Sequence, residues 1–202
     1  MKFFLDNVNE LHLKLNSLDL IKKNNNCYLF THRELRMTYN CETQEQVKEF
    51  LLEEKLSYGK CILSGLGMGI LTNILLKKKT VKEVIVYEIN KDVIKLYQIL
   101  NPKNLKLKII NEDIHNVSKE ECDCLFLDHY EKEDFSYVLK SIKKINNNIK
   151  CKVFWFWNVK NIIFKNKNRN LIENYRNFIK KISLSNMPDL NEKSLKNYVF
   201  EA

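Results

Sequence analysis

Three of the four glycines in the 202-residue chain fall in one pentapeptide, Gly65-Leu66-Gly67-Met68-Gly69. A chain that avoids glycine elsewhere keeps it where φ is positive or where something must approach the backbone closely. The spacing is G-x-G-x-G. The dinucleotide fingerprint needs its third glycine where Ile70 stands, so a nicotinamide or flavin cofactor is disfavoured. No G-x-x-x-x-G-K-[ST] run occurs, which excludes a phosphate loop of the ATP type. Further on, Glu88 closes the next apolar run, in Val86-Tyr87-Glu88-Ile89-Asn90. A carboxylate there is placed to accept hydrogen bonds from both hydroxyls of a ribose. Asp113, in Asn111-Glu112-Asp113-Ile114, follows another apolar run and suits the exocyclic amino group of a purine. Asp128 ends the run after that, followed by His129 and Tyr130. A carboxylate, an imidazole and a phenol together suit the orientation or deprotonation of a second substrate.

Positioning these groups requires strands that end together. Short apolar runs at Cys61–Ser64, Val84–Tyr87, Leu107–Ile110, Cys124–Leu127 and Lys152–Trp157 read as strands. Helical spacing lies between and after them: Thr72 to Lys78, Asp92 to Leu100, Phe135 to Ile145 and Ile162 to Ile182. Alternating βα units with apolar strands imply a doubly wound, mostly parallel α/β sheet of about seven strands with helices on both faces. Its ligands bind beyond the carboxyl ends of the strands. A last strand is expected at Tyr198-Val199-Phe200, paired with Ser183-Leu184-Ser185. Ahead of the core, Val8, Leu11, Leu15, Leu18 and Ile21 suggest a helix from Asp6 to Lys23. Tyr28–Phe30 and Leu35–Tyr39 then read as a hairpin. Thr43 with Gln46 resembles a capping box opening a helix from Gln44 to about Lys55. The expected division is an N-terminal helix and hairpin over 1–42, acting as a lid with Tyr28, His32, Arg33 and Tyr39, and a ligand-binding domain over 43–202.

Hydrophobic residues make up 45% of the chain, which argues against intrinsic disorder. No run approaches the roughly 18 apolar residues of a membrane-spanning helix. Met1–Leu5 is apolar, but Asp6 and Glu10 interrupt it, unlike a signal peptide. Of the six cysteines, Cys122 and Cys124 are one residue apart, the wrong spacing for a CxxC pair. A reduced, cytoplasmic protein without membrane contact is expected. The net charge of +9 leaves a nucleic-acid partner open. Runs such as Lys165-Asn166-Lys167-Asn168 also fit the residue bias of an AT-rich genome.

With these motifs in order, the chain resembles the class I S-adenosylmethionine-dependent methyltransferases, from about Lys60 to Phe200. The resemblance rests on Leu63–Ile70, Val86–Asn90, Asn111–Ile114 and Asp123–Asp128. It implies a Rossmann-like fold and S-adenosyl-L-methionine as cofactor. Gly65, Leu66, Gly67, Met68 and Gly69 would run beneath the methionine part. Glu88, with Ile89 and Asn90, would hold the ribose; Asp113 and Ile114 would meet the adenine. Asp128 would face cofactor and acceptor, with His129 beside it as the second catalytic candidate.

Two branches are weighed. Leu127-Asp128-His129-Tyr130 is similar to the catechol O-methyltransferase pattern, in which the aspartate binds magnesium. Glu131 stands where that pattern has lysine, and only Asn158 of Trp157-Asn158 matches its later Asp-Asn pair. No metal is therefore expected. The hairpin and Tyr-Glu-Ile-Asn resemble the spermidine-synthase branch, whose acidic residues Asp128, Glu131, Glu133 and Asp134 partly reproduce, without its Asp-Ser/Thr sequence. The Asn/Asp-Pro-Pro-Tyr/Phe signature of amino-group DNA methyltransferases and the Pro-Cys nucleophile of cytosine C5 enzymes are absent. The basic stretch Lys160 to Lys181 reads better as a solvated helix face than as a phosphate contact. Methyl transfer to an O or N nucleophile of a small molecule is the leading expectation, with Trp155, Trp157 and Tyr130 as candidate walls of the acceptor pocket. An aminopropyltransferase and a non-catalytic binding module of the same fold are the alternatives.

Overall fold

The computed structural model describes residues 10–40, 44–129 and 134–184. Thr43, Tyr130, Glu131, Glu133 and the expected strand at Tyr198–Phe200 lie outside them.

The first four elements form an antiparallel sheet in chain order: β1 (Glu10–Leu15), β2 (Leu18–Lys23), β3 (Asn26–Thr31) and β4 (Glu34–Asn40). The helix expected up to Lys23 is therefore, from Glu10 on, two strands. Leu11, Leu13 and Leu15 alternate with polar residues, and Leu15 pairs with Leu18 across a two-residue turn. Asn16 adopts φ 51° there, which asparagine tolerates better than most residues. Period two thus wins over the helical spacing also present in that stretch. The hairpin of β3 and β4 stands as expected, turning through His32 (φ 50°) and Arg33 (φ 68°), the two positive-φ positions a type I′ turn requires. Opposite Leu29 and Phe30 the register shifts and bulges at Arg36.

After α1 (Gln44–Leu56) comes the doubly wound unit: β5 (Gly59–Ser64), α2 (Ile70–Lys77), β6 (Val81–Tyr87), α3 (Lys91–Leu100), β7 (Leu107–Ile110), β8 (Glu120–Leu127), α4 (Phe135–Asn146), β9 (Ile149–Phe156), α5 (Val159–Asn166) and α6 (Arg169–Leu184). Its parallel sheet has the order β7-β6-β5-β8-β9. Among the described residues it has five strands rather than about seven. The single helix expected from Ile162 to Ile182 is two. Lys167 at φ 58° ends α5, and the Asn168 side chain accepts from Leu171 N–H at the start of α6. Ser183 and Leu184 end α6 and do not form a strand.

Strands β5, β8 and β9 are covered on both faces, and Phe154, Trp155 and Phe156 are all within 1% of full burial. The antiparallel sheet is tied to this unit at α3, where Asn16 Nδ2 donates to Asp92 Oδ1 at 2.7 Å. Among the described residues Cys61, Cys122, Cys124 and Cys151 are free thiols. Among the described residues no helix is long and apolar enough to cross a membrane.

Gly69 starts α2 in the left-handed region, φ 73°, and a Cβ there would collide with the Tyr97 ring. Tyr97 cannot readily retreat: it is buried, and its hydroxyl donates to Asn73 Oδ1 at 2.7 Å. Gly69→Ala is expected to cost about 2–4 kcal/mol of stability, read from urea unfolding. A loss below about 0.5 kcal/mol, the level of an ordinary surface substitution, contradicts this packing.

Candidate functional site

The switch in strand order lies at β5, where the chain leaves toward β6 on one side and returns as β8 on the other. A crevice is expected beyond the strand ends at such a point. A cleft of about 860 Å³ opens there. On the core side it is lined by Ser64, Gly65, Gly67, Glu88, Asp113 and Asp128. On the other side Leu29, Leu35, Arg36 and Met37 of the antiparallel sheet close it.

Gly65 and Gly67 have φ 93° and 50°. A Cβ on Gly65 would strike the Asp128 carbonyl, and one on Gly67 would press on the Met37 sulfur. The loop thus threads between β8 and the antiparallel sheet in a space only glycine fits. Gly65 N–H donates to Tyr87 O at 2.9 Å. Leu66 N–H donates to Glu88 Oε2, and Asn90 N–H to Glu88 Oε1, both at 2.8 Å. Asn90 also caps α3, accepting from Asp92 and Val93 N–H. Asn111 Nδ2 donates to the carbonyls of Glu88 and Ile89.

Asp113 caps a short 3-10 turn, Ile114–Asn116. Its Oδ1 accepts from His115 N–H at 2.9 Å and pairs with His115 Nδ1 at 2.8 Å. Burial raises the Asp113 pKa, but these bonds and the His115 and His129 charges outweigh it and hold the carboxyl below its ordinary range.

Asp128 is exposed along the cleft, yet desolvation of its carboxyl, followed by the Glu88 charge, pushes it up to about 6. His129 is pulled down to about 4 by burial and by His115, against the attraction of Asp113. Two α1 carboxylates escaped the sequence reading. Glu49 Oε1 accepts Asn158 N–H at 2.7 Å. Burial raises its pKa to about 7, with Asp128 adding to the rise and the Asn158 bond opposing it. Glu53 is raised well above the ordinary value by burial, then by Glu49 and Asp128. Its Oε2 has no hydrogen-bond partner among the described residues. Their one-turn spacing on α1 was legible, but the approach of that helix to Asp128 was not.

The structure therefore brings Gly65, Gly67, Glu88, Ile89, Asn90, Asp113, Ile114, Asp128 and His129 to one cleft. Met68 and Gly69 do not line it; Gly69 packs on Tyr97. Leu66 is core and contributes its backbone N–H. Trp155 is core rather than pocket wall; Trp157 lines the cleft and packs on Phe50 at 5.3 Å between ring centroids. On the closing side Tyr28, His32, Arg33 and Tyr39 are not the lining; Arg36 and Met37 are. The β4 bulge that presents Arg36 is a pairing irregularity with no signal in the sequence.

Among the described lining residues Arg36 is the one Lys or Arg, set against Glu88, Glu112, Asp113 and Asp128. The cleft is acidic although the chain carries +9, which suits a cationic ligand rather than a phosphate backbone. Among the described residues no group of three or more His, Cys, Asp or Glu is arranged to hold a metal ion.

No family model and no curated protein sequence matches this chain. Solved structures do. Spermidine synthase from Thermotoga maritima is similar at TM-score 0.51 and 14% identity, over 69% of this chain and 52% of that one. The chain has a class I methyltransferase-like fold. It spans about half the length of that synthase. A spermidine synthase in complex with the transition-state analogue AdoDATO matches at TM-score 0.49 and 14% identity, over 69% and 52% of the two chains. An N-methyltransferase from Bradyrhizobium japonicum matches at TM-score 0.43 and 16% identity, over 52% and 61%.

Glu49 takes up a proton on folding, because its pKa rises from 4.5 to about 7. Stability linked to this group is present below the lower value and lost as pH rises through the upper one. The shift corresponds to at most about 3 kcal/mol. Glu49→Gln keeps an acceptor for Asn158 N–H and removes the titration. It is expected to match wild type near pH ~4 and to exceed it by about 2–3 kcal/mol near pH ~8. Urea unfolding at both pH values checks this; the same difference at both contradicts it.

Proposed function

We propose that the protein is an S-adenosyl-L-methionine-dependent methyltransferase acting on an O or N nucleophile of a small molecule. The observation that carries this reading is the Glu88 carboxylate. Each of its oxygens accepts one backbone N–H and retains acceptor capacity for a ribose hydroxyl. Beside it, Gly65 and Gly67 line the cleft. The cleft volume lies within the roughly 300–1,000 Å³ range of small-molecule sites. These residues fit the adenosyl group.

In this reading Glu88 with Ile89 and Asn90 holds the ribose, and Asp113 with Ile114 meets the adenine. Gly65 and Gly67 run beneath the methionine part. Arg36 pairs with the ligand α-carboxylate, and the acidic lining attracts the positive sulfonium. The bound cofactor supplies a methyl group already activated by that sulfonium. The chain supplies alignment, worth roughly 7–11 kcal/mol of barrier when complete. Asp128, its carboxyl pushed up to about 6, orients the acceptor nucleophile, and His129 acts on it through Ser64, whose Oγ lies 2.5 Å from His129 Nδ1. Residues 1–42 act as the lid over the domain at 43–202.

The clustered carboxylates Glu49, Glu53 and Asp128 favour a second reading, aminopropyl transfer from decarboxylated cofactor to a polyamine, since an ammonium would compensate them. Arg36 speaks for the first: the decarboxylated form lacks the group it would pair with.

Calorimetry separates the two. Wild type is expected to bind S-adenosylmethionine, and Glu88→Ala to weaken it at least about tenfold, equivalent to about 1.4 kcal/mol. Arg36→Ala is expected to weaken S-adenosylmethionine while sparing the decarboxylated form. No binding at high micromolar protein sinks both readings. Preference for the decarboxylated form, with turnover of putrescine, replaces the first by the second.

A further inference from the structure

Five side chains form an unbroken file across the ends of the strands. His115 Nδ1 lies 2.8 Å from Asp113 Oδ1, and His115 Nε2 lies 2.7 Å from Ser141 Oγ on α4. Ser141 Oγ is 3.1 Å from His129 Nε2, and His129 Nδ1 is 2.5 Å from Ser64 Oγ at the end of β5. The two imidazole rings meet edge to face, with centroids 5.0 Å apart.

Donor and acceptor counting fixes the direction of every link. A carboxylate only accepts, so His115 carries its proton on Nδ1 and offers Nε2 as acceptor. Ser141 must then donate to His115, and its oxygen accepts from His129 Nε2–H. His129 Nδ1 is left to accept the Ser64 hydroxyl. All links are satisfied with both imidazoles neutral, and burial keeps His129 in that form. Ser64 is buried at one end of the file, and the Asp113 side chain at the other is 46% exposed.

We propose that Ser64, His129, Ser141, His115 and Asp113 are a proton relay that carries the proton released by the acceptor from the buried end of the cleft to His115. This rests on the transferase reading above. The acceptor X–H bond breaks and its proton goes to Ser64 Oγ, while the Ser64 proton passes to His129 Nδ1. His129 gives its Nε2 proton to Ser141, which gives its own to His115 Nε2. No electrons leave any group, and one net proton comes to rest on His115. The imidazolium is balanced by the Asp113 carboxylate, 2.8 Å from its Nδ1. His115 and Ser141 act through His129 and are positioning residues.

One consequence is visible without any ligand. Protonation of His115 turns its Nε2 into a donor toward Ser141. Ser141 then donates to His129, and His129 must move its proton from Nε2 to Nδ1. Other titratable groups around His129 are Asp128 beside it in the chain, Asp113, and Tyr137 and Glu88 of the same cleft. None of these is hydrogen-bonded to Ser141.

Long-range nitrogen–proton NMR on the full chain, titrated without cofactor, tests the relay. In wild type the two His129 nitrogen signals are expected to exchange protonated and bare character, with the midpoint at which His115 becomes charged. In Ser141→Ala that exchange is expected to vanish while His115 still titrates. Ser141→Thr, which keeps the hydroxyl, should restore it. Should Ser141→Ala not fold, His115→Gln serves, and the His129 tautomer is then expected to stay constant over the same range. A His129 tautomer indifferent to His115 in wild type, or an unchanged response in Ser141→Ala or His115→Gln, overturns the relay. Failure of S-adenosylmethionine to bind would sink the transferase reading and leave this measurement as it stands.

Discussion

The Glu88 carboxylate sits at the seam of two loops and joins them through its two oxygens. One is the glycine turn leaving β5, the other the turn from β6 into α3. A buried carboxylate must find donors or lose its solvation. It finds the Leu66 and Asn90 N–H groups, one from each loop. Parallel strands deliver both loops to the same edge, and the glycines let the first fold close enough for its backbone to donate. Asn90 then completes the second by capping α3. The pocket floor, the cap of a helix and the candidate ribose contact are thus one structure, and substitution at Glu88 should disturb all three.

Around that anchor the cleft runs against the charge of the whole molecule. The chain is strongly basic, yet its lining is acidic, and behind Asp128 lie Glu49 and Glu53 on α1. Desolvation raises all three, Asp128 adds to the rise of Glu49 and Glu53, and Glu49 adds to that of Glu53. Close carboxylates of this kind are costly for stability and are a recurrent feature of functional sites. Glu49 reaches Asn158 N–H at this end of the cleft, which Trp157 also lines.

Much of this was legible beforehand. Apolar runs ending in Glu88, Asp113 and Asp128 announced parallel strands, because strands buried on both faces need no polar alternation. The glycine spacing announced the tight turn between β5 and α2. The antiparallel sheet was half missed, since Leu11, Leu15 and Leu18 satisfy helical spacing as well as alternation, and only pairing across Asn16-Ser17 decides between them. His115 and Ser141 could not have been singled out: they are 26 positions apart and ordinary in type. Glu49 and Glu53 were plain helix-surface charges until α1 was placed against the end of β8. Long-range packing, not local pattern, assigns those residues to the site.

The most direct measurement is a crystal structure of the protein with S-adenosylhomocysteine. The account predicts the nucleoside lying between Gly65–Gly67 and Glu88, with both ribose hydroxyls on the Glu88 carboxylate and the sulfur directed toward Asp128 and His129. A nucleoside bound elsewhere, or one whose ribose makes no contact with Glu88, contradicts it.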